Sequence, residues 1–188
     1  PPRAVPEPSP PGAARTFFSF MIPSFWRRFP ASWQPTLLRL GLNWFPAYRA
    51  TSARIVRVSD DLKQVVVRLP LQRNTKNGAG TLFGGSLYSA TDPIYALLLA
   101  LNLGPEFVVW DKSAAIRYRK PGREALTAEF MLDDAEVASI RDEIERNGAC
   151  DRTFTTRFCD PAGVVHTEVD KTVYIACKKH YKKKLGHR

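Results

Sequence analysis

Residues 84–103 read GGSLYSATDPIYALLLALNL. No other stretch of the chain is as apolar, and Asp92 is its only charge. In the second half, Ile94, Tyr95, Leu97, Leu98, Leu99 and Leu101 fall nearly all round a helical wheel. A helix of that kind is buried on most sides in a soluble protein. Asn102, Gly104 and Pro105 supply its stop. The spacing therefore predicts a long central helix over Gly84–Leu103, and the rest of the chain must provide what surrounds it.

Both flanks provide strands. Upstream, Thr36–Trp44 suits a short helix with Thr36 as a possible cap, and Pro46 follows soon after. Thr51–Ser59 is rich in β-branched residues, and Asp60-Asp61 marks a turn. In Leu62–Pro70 one face reads Val65, Val67, Leu69 and the other includes Gln64 and Arg68, the period of a half-buried strand. Downstream, four strand-like stretches follow, over Phe107–Tyr118, Glu124–Leu132, Phe154–Cys159 and Val164–Ala176. A small surface helix over Ala135–Asn147 separates the middle two, with Asp133 or Asp134 as its cap and Gly148 as its end. Helices do not alternate with strands, so a doubly wound parallel sheet is excluded. The order implies an α+β domain, an antiparallel sheet wrapped round one long central helix.

Charge adds little to this. The 188 residues carry 28 Lys+Arg and 18 Asp+Glu, a formal net charge of +10. Six of the basic residues lie in Lys178–Arg188 with no acid, and Pro1–Pro35 nets three more positive charges. Between them, Thr36–Cys177 is nearly neutral at +1. Three parts follow: a proline-rich and aromatic lead over 1–35, a folded domain over 36–177 and a basic tail over 178–188. The ends could touch a membrane surface weakly, through the tail and the aromatics of Phe17–Phe29. Nucleic acid is not an expected partner, because Tyr181 stands alone in its lysine run and basic residues are not interleaved with aromatics. At 44% hydrophobic and 24% charged the chain is not a disordered one. Cys150, Cys159 and Cys177 are odd in number and form no C-x-x-C pair, which argues against a disulfide framework or a structural zinc site and fits a reducing, cytoplasmic setting. His166, His180 and His187 read as surface or tail residues.

The chemistry is expected just before and within the central helix. Residues 77–93, NGAGTLFGGSLYSATDP, run from a glycine-rich loop into an apolar helix. Gly84-Gly85 allows close approach to the backbone, and free N–H groups at a helix start suit an oxyanion. Neither a Walker loop nor a G-x-G-x-x-G fingerprint is present. Asp92 lies a little over two helical turns beyond Gly84. A carboxylate on an apolar helix is costly unless paired, hydrated or functional, and Pro93 removes a backbone donor beside it, so polar groups are expected to be freed there. Asn77-Gly78 is also a strong turn signal. Asp111-Lys112 reads equally as a local ion pair at a strand edge. Arg117, Arg119, Lys120 and Arg123 read as a solvated face and turn, or as contacts for coenzyme phosphates.

These residues resemble the hotdog-fold thioesterases, in particular the phenylacetyl-CoA thioesterase type, and more closely a subgroup of that superfamily classed as a domain of unknown function. The resemblance spans roughly Thr36–Lys178 and is sharpest over Asn77–Asp92 and Val108–Gly122. The family pattern is an Asn, a His-Gly-Gly beginning six residues later, and an Asp or Glu seven residues beyond the second Gly. Asn77, Phe83-Gly84-Gly85 and Asp92 stand at that spacing, with Phe83 in place of the His. The resemblance implies a hotdog fold and a homodimer or dimer of dimers. It implies Asp92 as general base or nucleophile, the Gly84 N–H as the group polarising a thioester carbonyl, and Asn77 as a positioning residue. Asp111 would orient the water, and Phe83, Gly85 and Ser113 would contact substrate. The implied substrate is an acyl-CoA-like thioester, with no cofactor and no metal. Phe83 at the His position motivates a second reading, a non-catalytic hotdog protein that binds an acyl or CoA ligand.

Overall fold

A computed structural model describes residues 29–186. Most of the expected lead, including its aromatic run up to residue 28, and the last two residues of the tail lie outside the described residues. After a 3-10 turn at Ala31–Trp33, helix α1 spans Gln34–Trp44 and α2 spans Pro46–Ala50. Strands β1 (Arg54–Val58) and β2 (Gln64–Leu69) precede α3 (Gly84–Ser89) and α4 (Ile94–Leu103). Then come β3 (Phe107–Tyr118), β4 (Leu126–Met131), α5 (Asp134–Asn147), β5 (Ala149–Cys159), β6 (Val165–Cys177) and α6 (Lys178–Gly186).

The six strands form one antiparallel sheet in the order β1-β2-β4-β5-β6-β3. Its inner face covers the central helical segment. All of Ile94–Leu99 on α4 is buried, together with Val65, Val67 and Leu69 of β2 and Leu126, Ala128 and Phe130 of β4. Tyr95 stacks on Phe154 at 4.6 Å and meets the edge of Phe130 at 5.2 Å. The first six residues of α4 are thus apolar all round because they are enclosed all round.

Several local features differ from the sequence expectation. α1 starts at Gln34 rather than after Thr36, with Pro35 in its first turn, where a missing N–H costs nothing. It buries Leu38 and Leu42, one turn apart, and packs on β1. Asn43 ties it there: its amide donates to the Ile55 carbonyl and its carbonyl accepts from the Ile55 N–H, both at 2.9 Å. β5 begins at Ala149, five residues earlier than expected. Asp133 caps α5 by accepting from the Glu136 N–H at 2.7 Å. Gly148 ends α5 at φ 79°, in the left-handed region, where a Cβ would also lie 2.2 Å from the His180 ring.

The central helical segment is also not continuous. It breaks at 90–93 between α3 and α4, and the Asp92–Pro93 peptide is cis. The expected release of backbone groups does not follow for the amides. Thr91, Asp92 and Ile94 donate to the carbonyls of Tyr88, Ser89 and Thr91, one tight turn back.

The basic run after Cys177 folds as α6. Tyr181 is its buried anchor, 6.5 Å from the Tyr174 ring, and the Lys178 N–H donates to the Glu106 carbonyl. No helix among the described residues is long and apolar enough to cross a membrane.

Candidate active site

The glycine-rich loop is held by its own polar groups. The Asn77 carbonyl oxygen accepts from the N–H groups of Ala79 and Thr81, both at 3.0 Å, and its amide donates to the Thr81 hydroxyl at 2.9 Å. The turn reading of Asn77 therefore holds, and one amide N–H of the side chain is left over. The Leu82 N–H donates to the Gly122 carbonyl and the Phe83 N–H to the Thr75 carbonyl, both at 2.8 Å. These bonds fix the entry into α3. The Gly84 and Gly85 N–H groups have no partner among the described residues.

Those two N–H groups lie at a groove of about 560 Å³. Asn77, Phe83, Gly84, Gly85, Tyr118 and Lys120 are among the residues that line it. Gly84 lets the Tyr118 ring approach closely: a Cβ there would lie 2.6 Å from the Tyr118 hydroxyl and displace it. Phe83 and Tyr118 are each 56% exposed, so two aromatic rings flank the donors.

The basic residues near this groove are mostly committed. Arg117 pairs with Glu168 and Asp170, and Arg119 and Arg157 also pair with Glu168. These guanidinium groups, Arg157 first, hold the Glu168 carboxyl down at about 2. Lys120 and Arg123 have no carboxylate partner among the described residues.

His166 corrects its reading as a surface residue. It is buried, with Nδ1 3.1 Å from the Pro121 carbonyl and Nε2 3.0 Å from Asp160. It thereby braces the turn at 120–122, whose residues line the groove. No signal in the sequence marked it beyond its place before the apolar alternation of β6.

Asp92 and Asp111 do not line this groove. Asp92 is exposed at the break between α3 and α4. Asp111 stands on β3 where the register with β6 shifts, and Ser113 lies just past that shift on an exposed part of the strand. The local Asp111–Lys112 ion pair does not form. Lys112 pairs with Asp151, whereas Asp111 pairs with Lys171 at 2.8 Å. Asp92 stands near enough to Asp111 for its charge to act there. Burial is the main cause that pushes the Asp111 carboxyl up; Lys171 opposes it and Asp92 adds to it.

The fold therefore brings Asn77, Phe83, Gly84 and Gly85 together and sets Asp92 and Asp111 together elsewhere. Sequence reasoning missed Lys171 and Tyr118. Among the described residues no cluster of three His, Cys, Asp or Glu side chains is placed to hold a metal ion, and the three cysteines are free thiols.

Comparison with known proteins gives the family and the fold. The model of a family described as a domain of unknown function, DUF4442, matches residues 36–175. The chain belongs to this family. Among solved structures it is similar to PA5026 of Pseudomonas aeruginosa, a protein of unknown function and probable thioesterase, with a TM-score of 0.67 and 20% identity over 76% of this chain and 96% of that one. It is similar to OLEI01261 of Chlorobaculum tepidum, of unknown function, at TM-score 0.62 and 17% identity over 76% and 93% of the two chains. It is also similar to the thioesterase HI1161 of Haemophilus influenzae, at TM-score 0.56 and 14% identity over 79% and 92%. A comparison with curated protein sequences found no match. This DUF4442 member thus has a thioesterase-like hotdog fold.

Proposed function

We propose that this DUF4442 protein hydrolyses an acyl-CoA-like thioester and works as a homodimer, in which the Gly84 groove of one protomer is completed by Asp92 of its partner. The observation that carries the reading is the division of one set of groups into two half-sites. Unpaired N–H donors stand in a groove without an acid, and an exposed acid stands at a helix break without donors.

Two features support assembly along β3. It is an edge strand of 12 residues, and Asp111–Ala115 are exposed on both faces. Long, unprotected edges of this kind are templates for pairing with another chain. β3 also carries Asp111, so pairing there would bring the acid cluster to the junction.

The chemistry is balanced by these groups. Asp92 takes a proton from water as the water oxygen attacks the thioester carbonyl carbon. The carbonyl oxygen gains negative charge against the Gly84 N–H, with Asn77 nearby. Collapse of the tetrahedral species breaks the C–S bond, and the departing thiolate receives the proton. Direct attack by Asp92, forming an anhydride that water then opens, uses the same groups. Lys120 and Arg123 are left for the phosphates of the carrier.

Phe83 and Tyr118 favour a second reading, ligand binding without turnover, because their rings crowd the Gly84 and Gly85 backbone. Free-thiol release from a panel of acyl-CoAs decides between the two. Asp92-dependent release supports the hydrolase. Ligand-induced thermal stabilisation without release supports the binder, and neither signal removes both.

A further inference from the structure

Helix α1 carries two apolar stripes, and the fold uses one of them. Pro35, Leu38 and Leu42 form the buried stripe, and the helix packs on β1. At about 100° per residue, Leu37, Leu40 and Trp44 fall on the opposite side, in line with Trp33 just before the helix. Trp33 is 59% exposed, Leu40 45% and Trp44 70%. Among the described residues no large apolar side chain is more exposed than Trp44. Packing a helix on a sheet needs a single apolar stripe, so the core does not account for the second. Large apolar side chains grouped on a surface mark a contact site.

The charge around this stripe has one sign. From residue 8 to residue 59 the chain holds seven arginines and no acidic residue. Arg57 is taken up by Glu129 on the sheet. Arg39 on α1 and Arg49 on α2 have no carboxylate partner among the described residues. The Arg49 guanidinium instead lies over the Trp44 ring, 5.3 Å from its centre, which sets a cation beside the stripe. Tryptophan, with an apolar body and one polar N–H, suits the level where lipid headgroups meet acyl chains.

That charge selects the occupant. A second copy meeting the stripe across a two-fold axis would bring Arg39 and Arg49 against their own copies. The lead of this chain is also basic next to α1, with Arg15, Arg27 and Arg28 and no acid after Glu7. An anionic lipid surface matches both the stripe and the arginines. At 11 residues α1 is about 16 Å long, too short to cross a bilayer and suited to lie in its interface. The other basic element, α6, packs on β6 and β3, whereas α1 packs on β1, and β1 and β3 are opposite edges of the sheet. The contributions of the two helices can therefore be measured apart.

We propose that the face formed by Trp33, Leu37, Leu40 and Trp44 docks on an anionic lipid bilayer, with these side chains at the acyl boundary and Arg39 and Arg49 at the headgroups. The inference does not rest on the hydrolase reading, and its test does not measure turnover.

The experiment is co-sedimentation of the full chain with phosphatidylcholine vesicles, made with and without phosphatidylserine. Binding is expected to the phosphatidylserine vesicles and should weaken as salt is raised. Trp33→Ser with Trp44→Ser should lower it by about 10–100-fold. The melting temperature should hardly change, because both side chains are exposed. Arg39→Gln with Arg49→Gln should lower binding by about 10-fold and remove most of the preference for phosphatidylserine. No binding by the wild-type chain overturns the proposal, as does undiminished binding by the folded tryptophan pair. A loss confined to Lys182→Gln with Lys183→Gln on α6 overturns it too, by moving the contact to the other edge of the sheet. If the tryptophan pair lowers the molar mass by light scattering, or the retention of a labelled oligonucleotide, while vesicle binding stays, the stripe meets a second copy or a nucleic acid and the proposal fails. Should the tryptophan pair not fold, Leu40→Gln serves, with a drop of about 3–10-fold expected and unchanged binding overturning the proposal.

Discussion

The two ends of the broken central helix are built on opposite plans. At Gly84 the surroundings are neutral and hold donors: two free N–H groups, two aromatic rings and a loop fixed by its own backbone. At Asp92 the surroundings are ionic: two carboxylates and a lysine drawn into the core. In the proposed dimer the two environments meet in one site, the donors from one protomer and the acid from the other.

The contrast can be broken at four points. The largest effect is expected from Asp92→Asn, which should cut thiol release by about 10²–10⁴-fold. Because Asp92 is exposed, the melting temperature should hardly change; retained turnover would remove Asp92 from the chemistry. Next, Ala114→Lys together with Ala115→Lys should convert the dimer to a monomer by light scattering. It should lower turnover by about 10²–10⁴-fold as well, since a lone protomer lacks its partner's Asp92. A monomer of full activity would show that one chain suffices.

A mixing experiment sharpens the same point. Gly84→Val forces Tyr118 aside and should be inactive alone, like Asp92→Asn. Subunit exchange between the two should recover roughly a quarter of wild-type activity, because half of the dimers are mixed and each carries one intact site. No recovery after verified exchange argues that both groups act within one chain.

The smallest effect concerns the arginine cluster behind the groove. Glu168 has a folded value of about 2, below its ordinary 4.5, so it contributes stability that is present above about pH 4.5 and lost as pH falls through about 2. Between pH 7 and pH 3 the melting temperature of Glu168→Gln should therefore start lower and fall less steeply than that of wild type. Parallel curves would show that the ion pairs with Arg117, Arg119 and Arg157 stabilise nothing.

Much of the fold was legible because its signals are local. The period-two stretches of β2, β4 and β6, the cap at Asp133 and the stop at Gly148 are each written within a few residues. The break at 90–93 was half legible: Pro93 announced a disturbance, but not that Asp92 would leave the helix and become exposed. The pairing of Asp111 with Lys171 was not legible, since it depends on the register of β3 against β6, including the shift at Asp111. One trace of it existed. In β6 the apolar parity runs Val169, then Lys171, then Val173, and a lysine on a core parity is a buried-charge signal. His166 was missed for a related reason: its burial depends on a turn contributed by residues 45 positions away.

The docking of α6 separates the unit of homology from the unit of folding. The family match ends at residue 175, yet Tyr181 is buried and the His180 ring fills the space that a side chain at residue 148 would need. A fragment trimmed to the family boundary would therefore uncover the end of β6 and leave Gly148 facing a void. Expression boundaries for this protein are better drawn past residue 181 than where the similarity ends.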